Sequence, residues 1–371
     1  MSTIRPLERS DLTKVANLLV RTFQGREDEA SPEMADYLGQ LLLDLPDKAS
    51  DIHSLVYERE KGRIAGFMGV FTQSMSIGGR TLRAAIGNSL AVERDASDPT
   101  AGARLCRSFF QGPQDITISD RSNATSVALW RGMGGDVLPL YSLDWMRVLR
   151  PLEAATFRLR RRLRLTGPTL PLVRGLDHVA AGLARRRGRD VIEAPQPPLR
   201  PRGLRRKDAD AGTLIPAIRT LVAEDLLHPL WSDAGIEALL AQAGQKRELG
   251  QTVMQVVEDA SGRSVGAYIY YLPVHGIAQV LHVLSTRAMT GPVLDVLLLD
   301  AYGRGAVAIG GRAQPRLIEA LLDRRATLSS AYRCVFGATD PDVLAAVRSG
   351  NAVIGGLVGE FWTRLNGDRL R

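Results

Sequence analysis

The strongest constraint on the fold of this chain is a β-hairpin pattern that occurs twice. Residues 54–71 read SLVYEREKGRIAGFMGVF, and residues 252–272 read TVMQVVEDASGRSVGAYIYYL. Each segment contains two runs of alternating apolar residues around a Gly-Arg turn, which is typical of a hairpin. Gly62 and Gly66 of the first segment correspond to Gly262 and Gly266 of the second. The chain is therefore expected to contain one supersecondary unit in two copies.

The segments around the two hairpins follow the same order in both halves. A helix-rich opening with apolar residues at helical spacing precedes each hairpin. A strand, a helix and another strand follow it, with RAAIGNSLAV and DITIS as the strands of the first half and IAQVLHVLS and GAVAIGG as those of the second. This order predicts an α/β fold of two related units, each a mixed central sheet flanked by helices.

The segment between the two halves differs in composition. Residues 157–207 contain fifteen Arg or Lys and three acidic residues, whereas the whole chain of 371 residues has a net charge of +8. Pro clusters favour extended linker chain, and apolar residues from Val173 to Leu183 recur at helical spacing. We therefore predict an N-terminal domain at 1–150, a basic Pro/Arg-rich connector with a short amphipathic helix at 151–207, and a C-terminal domain at 208–371.

Several classes of protein are excluded by composition. Cys106 and Cys334 are the only cysteines and lie far apart, which excludes a disulfide framework and a thiolate metal site. The histidines show no metal-ligand spacing, so no metal is expected. No window has the apolar length of a membrane span, and the N-terminal residues lack the apolar core of a signal peptide. We expect a cytoplasmic protein.

A helix start and a helix stop can be read in the segment 122–149. Asn123 is a good N-cap, because its side-chain oxygen can accept a hydrogen bond from an amide of the first helical turn. Gly134 and Gly135 stop the helix, since Gly tolerates the left-handed conformation found just past a helix end. The stretch LPLYSLDW that follows alternates in polarity and predicts a half-buried strand.

This segment resembles the GNAT superfamily of acyl-CoA-dependent N-acyltransferases. The corresponding helix of that family reads N-x-x-A-x-x-L-Y-x-x-x-G-F. Here the matching positions hold Asn123, Ser126, Leu129, Trp130, Gly134 and Gly135, with Trp for the usual Tyr and Gly for Phe. Together with the duplicated order of elements, the resemblance implies a tandem GNAT-like protein. It further implies transfer of an acetyl or other acyl group from acyl-CoA to an amine.

The family's cofactor loop, V-x-P-x-x-Q/R-x-x-G-x-G/A, is less well matched. Backbone amides of that loop and of the following helix N-terminus hold the diphosphate of CoA. Aligned on residues 92–102, only Val92 and Gly102 match, and Thr100 replaces the first Gly; in the second half only Gly291 matches. The resemblance assigns cofactor contacts to Val92, Thr100, Gly102, Ala103, Arg104, Asn123 and Gly291.

The altered loop leaves three functions open. One is a working transferase that binds acetyl-CoA or another acyl-CoA through backbone amides. Another is a non-catalytic binding module that kept the fold and lost the ligand. The third is a transferase like the Fem-type enzymes, which also pair two GNAT-like domains but use aminoacyl-tRNA.

Amide formation needs a base that removes a proton from the ammonium of the acceptor. Glu93, at the end of the fourth strand, Tyr141, near the helix that starts at Asn123, and His282, in the strand AQVLHVLS, are the candidate catalytic residues. Each also has a plainer interpretation. Glu93 would be an ordinary surface carboxylate, Tyr141 a structural strand residue, and His282 a satisfied core histidine.

The acceptor implied is a small-molecule or saccharide amine. The resemblance to tandem forms of the family implies, as one such acceptor, an amino sugar of a surface polysaccharide or of a lipid-linked precursor. A second partner is considered for the basic connector. The connector, 157–207, would be solvated surface or would contact an anionic membrane. Nucleic acid is disfavoured, because no aromatic residue lies between Arg158 and Lys207 to stack on bases.

Overall fold

The structure is a computed structural model that describes residues 2–25, 29–59, 62–93, 98–151, 153–154 and 201–368. The short helix predicted within the connector lies outside the described residues.

The elements before residue 149 are β1 Thr3–Pro6, α1 Leu12–Gln24, α2 Pro32–Leu42, β2 Leu55–Arg59, β3 Arg63–Ile77, β4 Arg80–Val92, α3 Ala101–Phe110, β5 Ile116–Ser122, α4 Ala124–Gly132, β6 Asp136–Leu138 and β7 Asp144–Val148. The elements after residue 201 are β8 Arg205–Asp208, α5 Ala211–Val222, β9 His228–Pro229, α6 Asp233–Gly244, β10 Gln251–Glu258, β11 Ser264–Leu272, β12 Ile277–Ser285, α7 Thr290–Gly303, β13 Ala308–Arg312, α8 Ile318–Asp323, β14 Thr327–Ser329, β15 Arg333–Ala338 and α9 Pro341–Arg348.

The strands form two mixed sheets, and the predicted α/β class is confirmed. One sheet has the order β1-β2-β3-β4-β5-β15-β6, with β9 added to β3; the other has the order β14-β7-β13-β12-β11-β10-β8. The two hairpins predicted from the sequence are β2–β3 and β10–β11, both antiparallel. In each sheet the strand after the hairpin then pairs in parallel with the next, as β4–β5 and β12–β13.

The two sheets exchange one strand. Read in the same direction, β8, β10, β11, β12 and β13 of the second sheet take the places of β1 to β5 of the first. The next place in the first sheet is taken by β15, from the C-terminal half, and in the second by β7, from the N-terminal half. The duplication predicted from the hairpins therefore extends to the whole sheets, with a reciprocal exchange that the sequence did not indicate.

Because of this exchange, the two compact units of the chain are discontinuous in sequence. One contains residues 1–143, 225–248 and 330–371, and the other contains residues 144–224 and 249–329. Contiguous domains at 1–150 and 208–371 were expected instead. In addition, residues 205–207 of the expected connector lie in β8, which pairs with β10.

The single strand predicted for LPLYSLDW is wrong. Residues 140–142 form a 3-10 turn after Pro139, whose φ of −60° and ψ of −45° are helical. Two short strands, β6 and β7, lie on either side of this turn and join different sheets. The alternation of apolar residues remains, but the turn is the point where the chain leaves the first sheet for the second.

The core of the first unit joins α3 and α4 to one face of its sheet. Leu105, Cys106 and Phe109 of α3 and Trp130 of α4 are buried against strand residues such as Met68. The ring of Trp130 packs 5.7 Å from that of Phe109, centre to centre. Apolar residues at helical spacing thus place the N-termini of both helices beside the ends of β4 and β5.

Replacing Gly310 of β13 by Ala is expected to destabilise the second unit, because Gly310 lies directly beside the exchanged strand β7. A Cβ at Gly310 of β13 would collide with the backbone carbonyl oxygen of Trp145 of β7, which cannot move without breaking the ladder. We expect Gly310→Ala to lower the free energy of unfolding by about 1–3 kcal/mol in urea denaturation. The matched control is Gly303→Ala, where a Cβ would meet nothing within 4 Å. Equal midpoints for the two variants would contradict the strand exchange.

Candidate functional site

The candidate site forms where the parallel strands β4 and β5 separate. Their pairing runs from Ala84 to Ile86 on β4, opposite Ile116 to Ile118 on β5. Beyond these residues β4 stays paired with β3, and β5 stays paired with β15. In the described part of the chain no ladder joins β4 to β5 past this point. Their facing edges therefore offer backbone donors and acceptors to an extended ligand.

A cavity of about 460 Å³ opens at this separation. Its walls come from α1, β3, β4, β5, α4, Tyr332 and the segment 353–368 after α9, called the C-terminal segment below. The lining residues include Gly87, Asn88, Ser89, Ser119, Arg121, Ser122, Asn123, Trp130, Glu360 and Asp368. The cavity thus has hydroxyls, an amide, both signs of charge and an indole ring on its walls.

A β-bulge shapes the β4 side of the cavity. The register of β3 against β4 shifts between Phe67 and Gly69. Ser89 has a φ of +52°, in the left-handed region that few residues other than Gly adopt. A Cβ at Gly87 would lie only 2.7 Å from the side chain of Met68. The bulge therefore redirects this stretch of β4 next to the cavity, as bulges near binding sites often do.

A pair of buried carboxyl groups joins β5 to the C-terminal segment. The backbone N–H of Asp120 and the hydroxyl of Ser119 donate to Oε1 of Glu360, over 3.0 and 2.7 Å. In return, the backbone N–H of Glu360 donates to Oδ1 of Asp120 over 3.1 Å. Gly359 allows this approach, because a Cβ there would collide with the carboxyl group of Asp120. The carboxyl of Glu360 is thereby fixed at the cavity.

Burial and the neighbouring carboxyl of Asp120 raise the pKa of Glu360 from 4.5 to about 8. The hydrogen bond from Ser119 and the positive charge of Arg121 act in the opposite direction and are weaker. A carboxyl group with such a pKa gains and loses its proton close to neutral pH. This property suits proton transfer to and from a substrate.

Lys246, two residues after the end of α6, binds the C-terminal segment through its ammonium group. Its ammonium group donates to the carbonyl oxygens of Thr363, over 2.7 Å, and of Asn366. It also lies 3.8 Å from the carboxylate of Asp368. Lys246 is fully buried, and desolvation lowers its pKa to about 8. These bonds hold the chain on the C-terminal side of Glu360.

The predicted cofactor residues of the first half lie together at the end of β4 and the start of α3. Val92 ends β4, and Gly102 and Ala103 are in the first turn of α3; a Cβ on Gly102 would be 3.7 Å from Val92. Residues 94–97 of the same loop lie outside the described residues. Thr100, just before the helix, donates through its N–H and hydroxyl to Asp98, over 3.1 and 2.8 Å.

Asp98, the acidic residue in this loop, has its charge partly balanced. The hydroxyl of Tyr57 donates to its carboxylate, and this bond is the main cause of a lowered Asp98 pKa. Arg104 approaches the same carboxylate to 3.4 Å, and its guanidinium lies 5.2 Å from the ring centre of Tyr57. Arg104 is thus placed beside the helix N-terminus, as a phosphate-binding role requires. Its assignment to the cofactor stays a prediction.

The prediction that Asn123 caps α4 is confirmed. Its side-chain oxygen accepts a hydrogen bond from the backbone N–H of Ser126 over 2.9 Å, and Gly134 beyond the helix has a φ of +90°. Trp130, at the position of the family's Tyr, is buried between Phe109 and Phe110. It supplies an apolar wall to the cavity, and its indole N–H is not a general acid.

Glu93 and Tyr141 do not line the cavity. The carboxylate of Glu93 is paired with Arg21 at 3.1 Å and with Arg63 at 2.5 Å. Tyr141 lies in the buried 3-10 turn and donates its hydroxyl to the carbonyl oxygen of Ala352 over 3.2 Å. Burial raises its pKa well above the usual range of a tyrosine. These contacts favour the structural roles that the sequence left open for both residues.

His282 and Gly291 belong to the second unit. His282 is fully enclosed in β12, and burial and the charge of Arg316 lower its pKa to about 4, so its ring is neutral at pH 7. Gly291 is in the first turn of α7, where a Cβ would lie 2.9 Å from the guanidinium of Arg324. The core interpretation of His282 is favoured, and Gly291 is covered by a side chain of its own unit.

Sequence reasoning missed Glu360, Asp120 and Lys246. Asp120 and Glu360 are 240 residues apart, so their contact depends on the insertion of β15 and the chain that follows it. The available signal was an acidic residue inside the apolar, Gly-rich stretch IGGLVGEFW, since an unpaired acid is rarely buried. Lys246, in the polar stretch AQAGQKRELG, gave no such signal.

Comparisons with known proteins found similarity in structure only. No family model and no curated protein matches the sequence. A probable N-acyltransferase of unknown function from Enterococcus faecalis superposes with a TM-score of 0.59 at 8% identity, over 91% of this chain and 72% of that one. A GCN5-related N-acetyltransferase from Anabaena variabilis gives 0.57 at 12% identity, over 91% and 72%. Saccharomyces cerevisiae N-myristoyltransferase, solved with myristoyl-CoA and inhibitors, gives 0.50 at 12% identity, over 92% and 83%.

Among the described residues, no cluster of three or more His, Cys, Asp or Glu side chains is arranged to hold a metal ion. No helix in the same residues has the length and apolar character needed to cross a membrane.

Replacing Lys246 is expected to loosen the C-terminal segment. Lys246→Met keeps most of the apolar volume, but it leaves the carbonyl oxygens of Thr363 and Asn366 without their buried donor and removes the cation that lies 3.8 Å from the carboxylate of Asp368. Because breaking a buried charge network is costly, we expect the free energy of unfolding to fall by about 3–5 kcal/mol in urea denaturation. The matched control is Lys207→Met, whose partner Glu258 forms an exposed ion pair that should contribute less than about 1 kcal/mol. A similar loss in both variants would contradict the role of Lys246.

Proposed function

We propose that this chain, which has the fold of the GNAT superfamily, transfers an acyl group from acyl-CoA to an amine in the cavity of its first unit. The observation that carries the proposal is the buried carboxyl group of Glu360 at the point where β4 and β5 separate. Solved structures with the same fold include N-acetyltransferases and a myristoyl-CoA complex, which supports thioester chemistry without identifying the substrates.

The donor would bind along the separated strands. The amides at the N-terminus of α3 favour an anion such as the diphosphate of CoA, and they do not depend on the side chains of the altered loop. Arg104 adds positive charge there and offsets Asp98. The edge of β4 beyond Ile86 offers backbone hydrogen bonds to the amide-containing arm of CoA, which leads the thioester into the cavity.

Glu360 would act as the base of the reaction. Its carboxylate takes a proton from the ammonium of the acceptor, and the free amine attacks the thioester carbonyl carbon. The carbon–nitrogen bond forms, the carbon–sulfur bond breaks, and the departing thiolate takes the second proton from the nitrogen, which leaves a neutral amide and the thiol of CoA. Glu360 then releases its proton to water, which restores the carboxylate. Asp120 and Ser119 hold the carboxyl in place and do not touch the reacting atoms.

We also propose which acyl-CoA is the donor and which class of amine is the acceptor. The donor is most simply acetyl-CoA, and an amino sugar of a surface polysaccharide or lipid-linked precursor is within the range of acceptors. Contact of residues 157–207 with an anionic membrane, and a cytoplasmic location, stay predictions.

Removing the carboxylate of Glu360 is expected to remove the base and keep the fold. In Glu360→Gln the amide oxygen can still accept the bonds from Ser119 and Asp120. We expect kcat/KM, measured as CoA release with an amine acceptor, to fall by at least about 100-fold. The matched control Glu237→Gln changes an exposed acid on α6 and should keep full activity. Wild-type activity in Glu360→Gln would remove Glu360 from the reaction.

The pH dependence should follow the raised pKa of Glu360. Because the base must be deprotonated, kcat/KM is expected to rise with pH, about tenfold per unit below a midpoint near 8. Stability should change in the opposite direction. The folded carboxyl holds its proton between pH 4.5 and about 8 while the unfolded chain releases it, so stability falls as pH rises through this window. In Glu360→Gln, thermal unfolding between pH 5 and 8 should show a smaller decline than in the wild type, and an equal decline would contradict the assignment.

A charge placed at the N-terminus of α3 tests the donor site. In Gly102→Glu the new carboxylate would repel the diphosphate, while an acidic residue in a first helical turn favours the helix itself. We expect calorimetric binding of acetyl-CoA to weaken at least tenfold without a loss of stability. The control is Gly212→Glu, the same change in the first turn of α5. Undiminished binding in Gly102→Glu, or no binding of acetyl-CoA by the wild type, would count against this donor site and favour a binding module.

A further inference from the structure

We infer that Arg121 forms an anion subsite beside Glu360, so that the acceptor is an amine that carries a carboxylate close to its amino group. The inference rests on the proposed function, because it concerns the acceptor of the same cavity. It names a substrate class that neither the sequence nor the structural comparisons indicate.

Arg121 is placed by the strand that carries the rest of the site. It follows Asp120 on β5, past the point where β4 and β5 separate, and it lines the cavity together with Ser122. Its neighbours in sequence, Ser119 and Asp120, are the residues that bind the carboxyl group of Glu360. The guanidinium is therefore carried by the same short stretch of chain that binds the carboxyl group of the proposed base.

Two aromatic rings hold the guanidinium of Arg121. Its central carbon lies 4.8 Å from the ring centre of Tyr332 and 4.9 Å from that of Phe361. Contacts with ring faces use the flat face of a guanidinium and leave its N–H groups, which point outward in its plane, for hydrogen bonds. A guanidinium fixed in this way is suited to bind a carboxylate or phosphate through two parallel bonds.

The surroundings of Arg121 favour an anion at this position. Asn123 and Ser126, at the N-terminus of α4, line the same cavity. The amides of that helical turn add positive potential, although a helix terminus alone would not define a site. Phe361, which contacts Arg121, follows Glu360 directly in the chain.

The cavity is lined by groups that can bind both charges of a zwitterion. Glu360 and Asp368 line it with carboxyl groups, and Arg121 lines it with a guanidinium. An acceptor whose ammonium approaches Glu360 can place a nearby anionic group on Arg121. An acceptor amine without an anionic group would make no charge-assisted hydrogen bond with this guanidinium.

The test compares acceptors that differ only in charge. The twenty α-amino acids and their amides are supplied as acceptors with acetyl-CoA, and CoA release is measured for the wild type, Arg121→Met and Arg121→Lys. The matched control is Arg131→Met, which removes an exposed charge from α4 outside the cavity. In parallel, calorimetry measures binding of the same amino acids and amides without acetyl-CoA.

We expect at least one amino acid to exceed its amide by tenfold or more in kcat/KM with the wild type and with Arg131→Met. Arg121→Met should abolish that preference by raising KM for the amino acid, leave KM for acetyl-CoA unchanged, and keep the low rate with the amide. Arg121→Lys should restore part of the preference, because it keeps the charge but not the paired geometry.

Other outcomes separate the two proposals. Equal turnover of amino acids and amides would overturn the anion subsite while supporting acyl transfer. A raised KM for acetyl-CoA in Arg121→Met would also overturn it, because the guanidinium would then serve the donor. If no acceptor is turned over but amino acids bind in an Arg121-dependent way, the subsite stands and the acyltransfer proposal falls. If no amino acid binds or reacts, the inference is wrong.

Discussion

The pairing of β15 with β5 is the constraint on which the candidate site depends. Residues 333–338 of β15 pair antiparallel with β5 along residues 116–122, while β4 is bonded on its other side to β3 as far as Val92. Each strand keeps a partner, so β4 and β5 can separate after Ile86 at the cost of only the bonds between them. The strand that keeps β5 paired past this point comes from the other half of the chain, so the β5 wall of the cavity depends on the strand exchange.

The same insertion brings Glu360 to the cavity, where burial and the neighbouring carboxyl of Asp120 favour the neutral form of its carboxyl group. The hydrogen bond from Ser119 acts in the opposite direction and does not cancel this preference. A buried carboxyl group with a raised pKa in a cavity wall is typical of a reactive position.

Periodicity was sufficient to predict elements whose cause is local. The hairpins around Gly62 and Gly262, the cap at Asn123 and the α/β class follow from apolar spacing and backbone preferences, and the structure has them. The exchange of β7 and β15 does not follow, because a strand of five or six residues carries the same alternation whichever sheet it joins. Glu360 and Lys246 were missed for the same reason, since their contacts are made by chain segments more than 100 residues apart.

The second unit shows why we assign the proposed reaction to the first. The pairing of β12 with β13 also stops early, at Val280 opposite Gly311. There, however, Arg316 donates to the backbone carbonyl oxygen of Ser285 over 2.5 Å, and Arg324 covers Gly291 while paired with Asp295. Side chains of the second unit thus occupy a strand carbonyl oxygen and the helix N-terminus that a nucleotide donor would need. His282, near Arg316, is neutral and enclosed. The duplicated scaffold has the same strand order in both copies, but in the first a buried carboxyl group with a raised pKa lies next to an open strand edge.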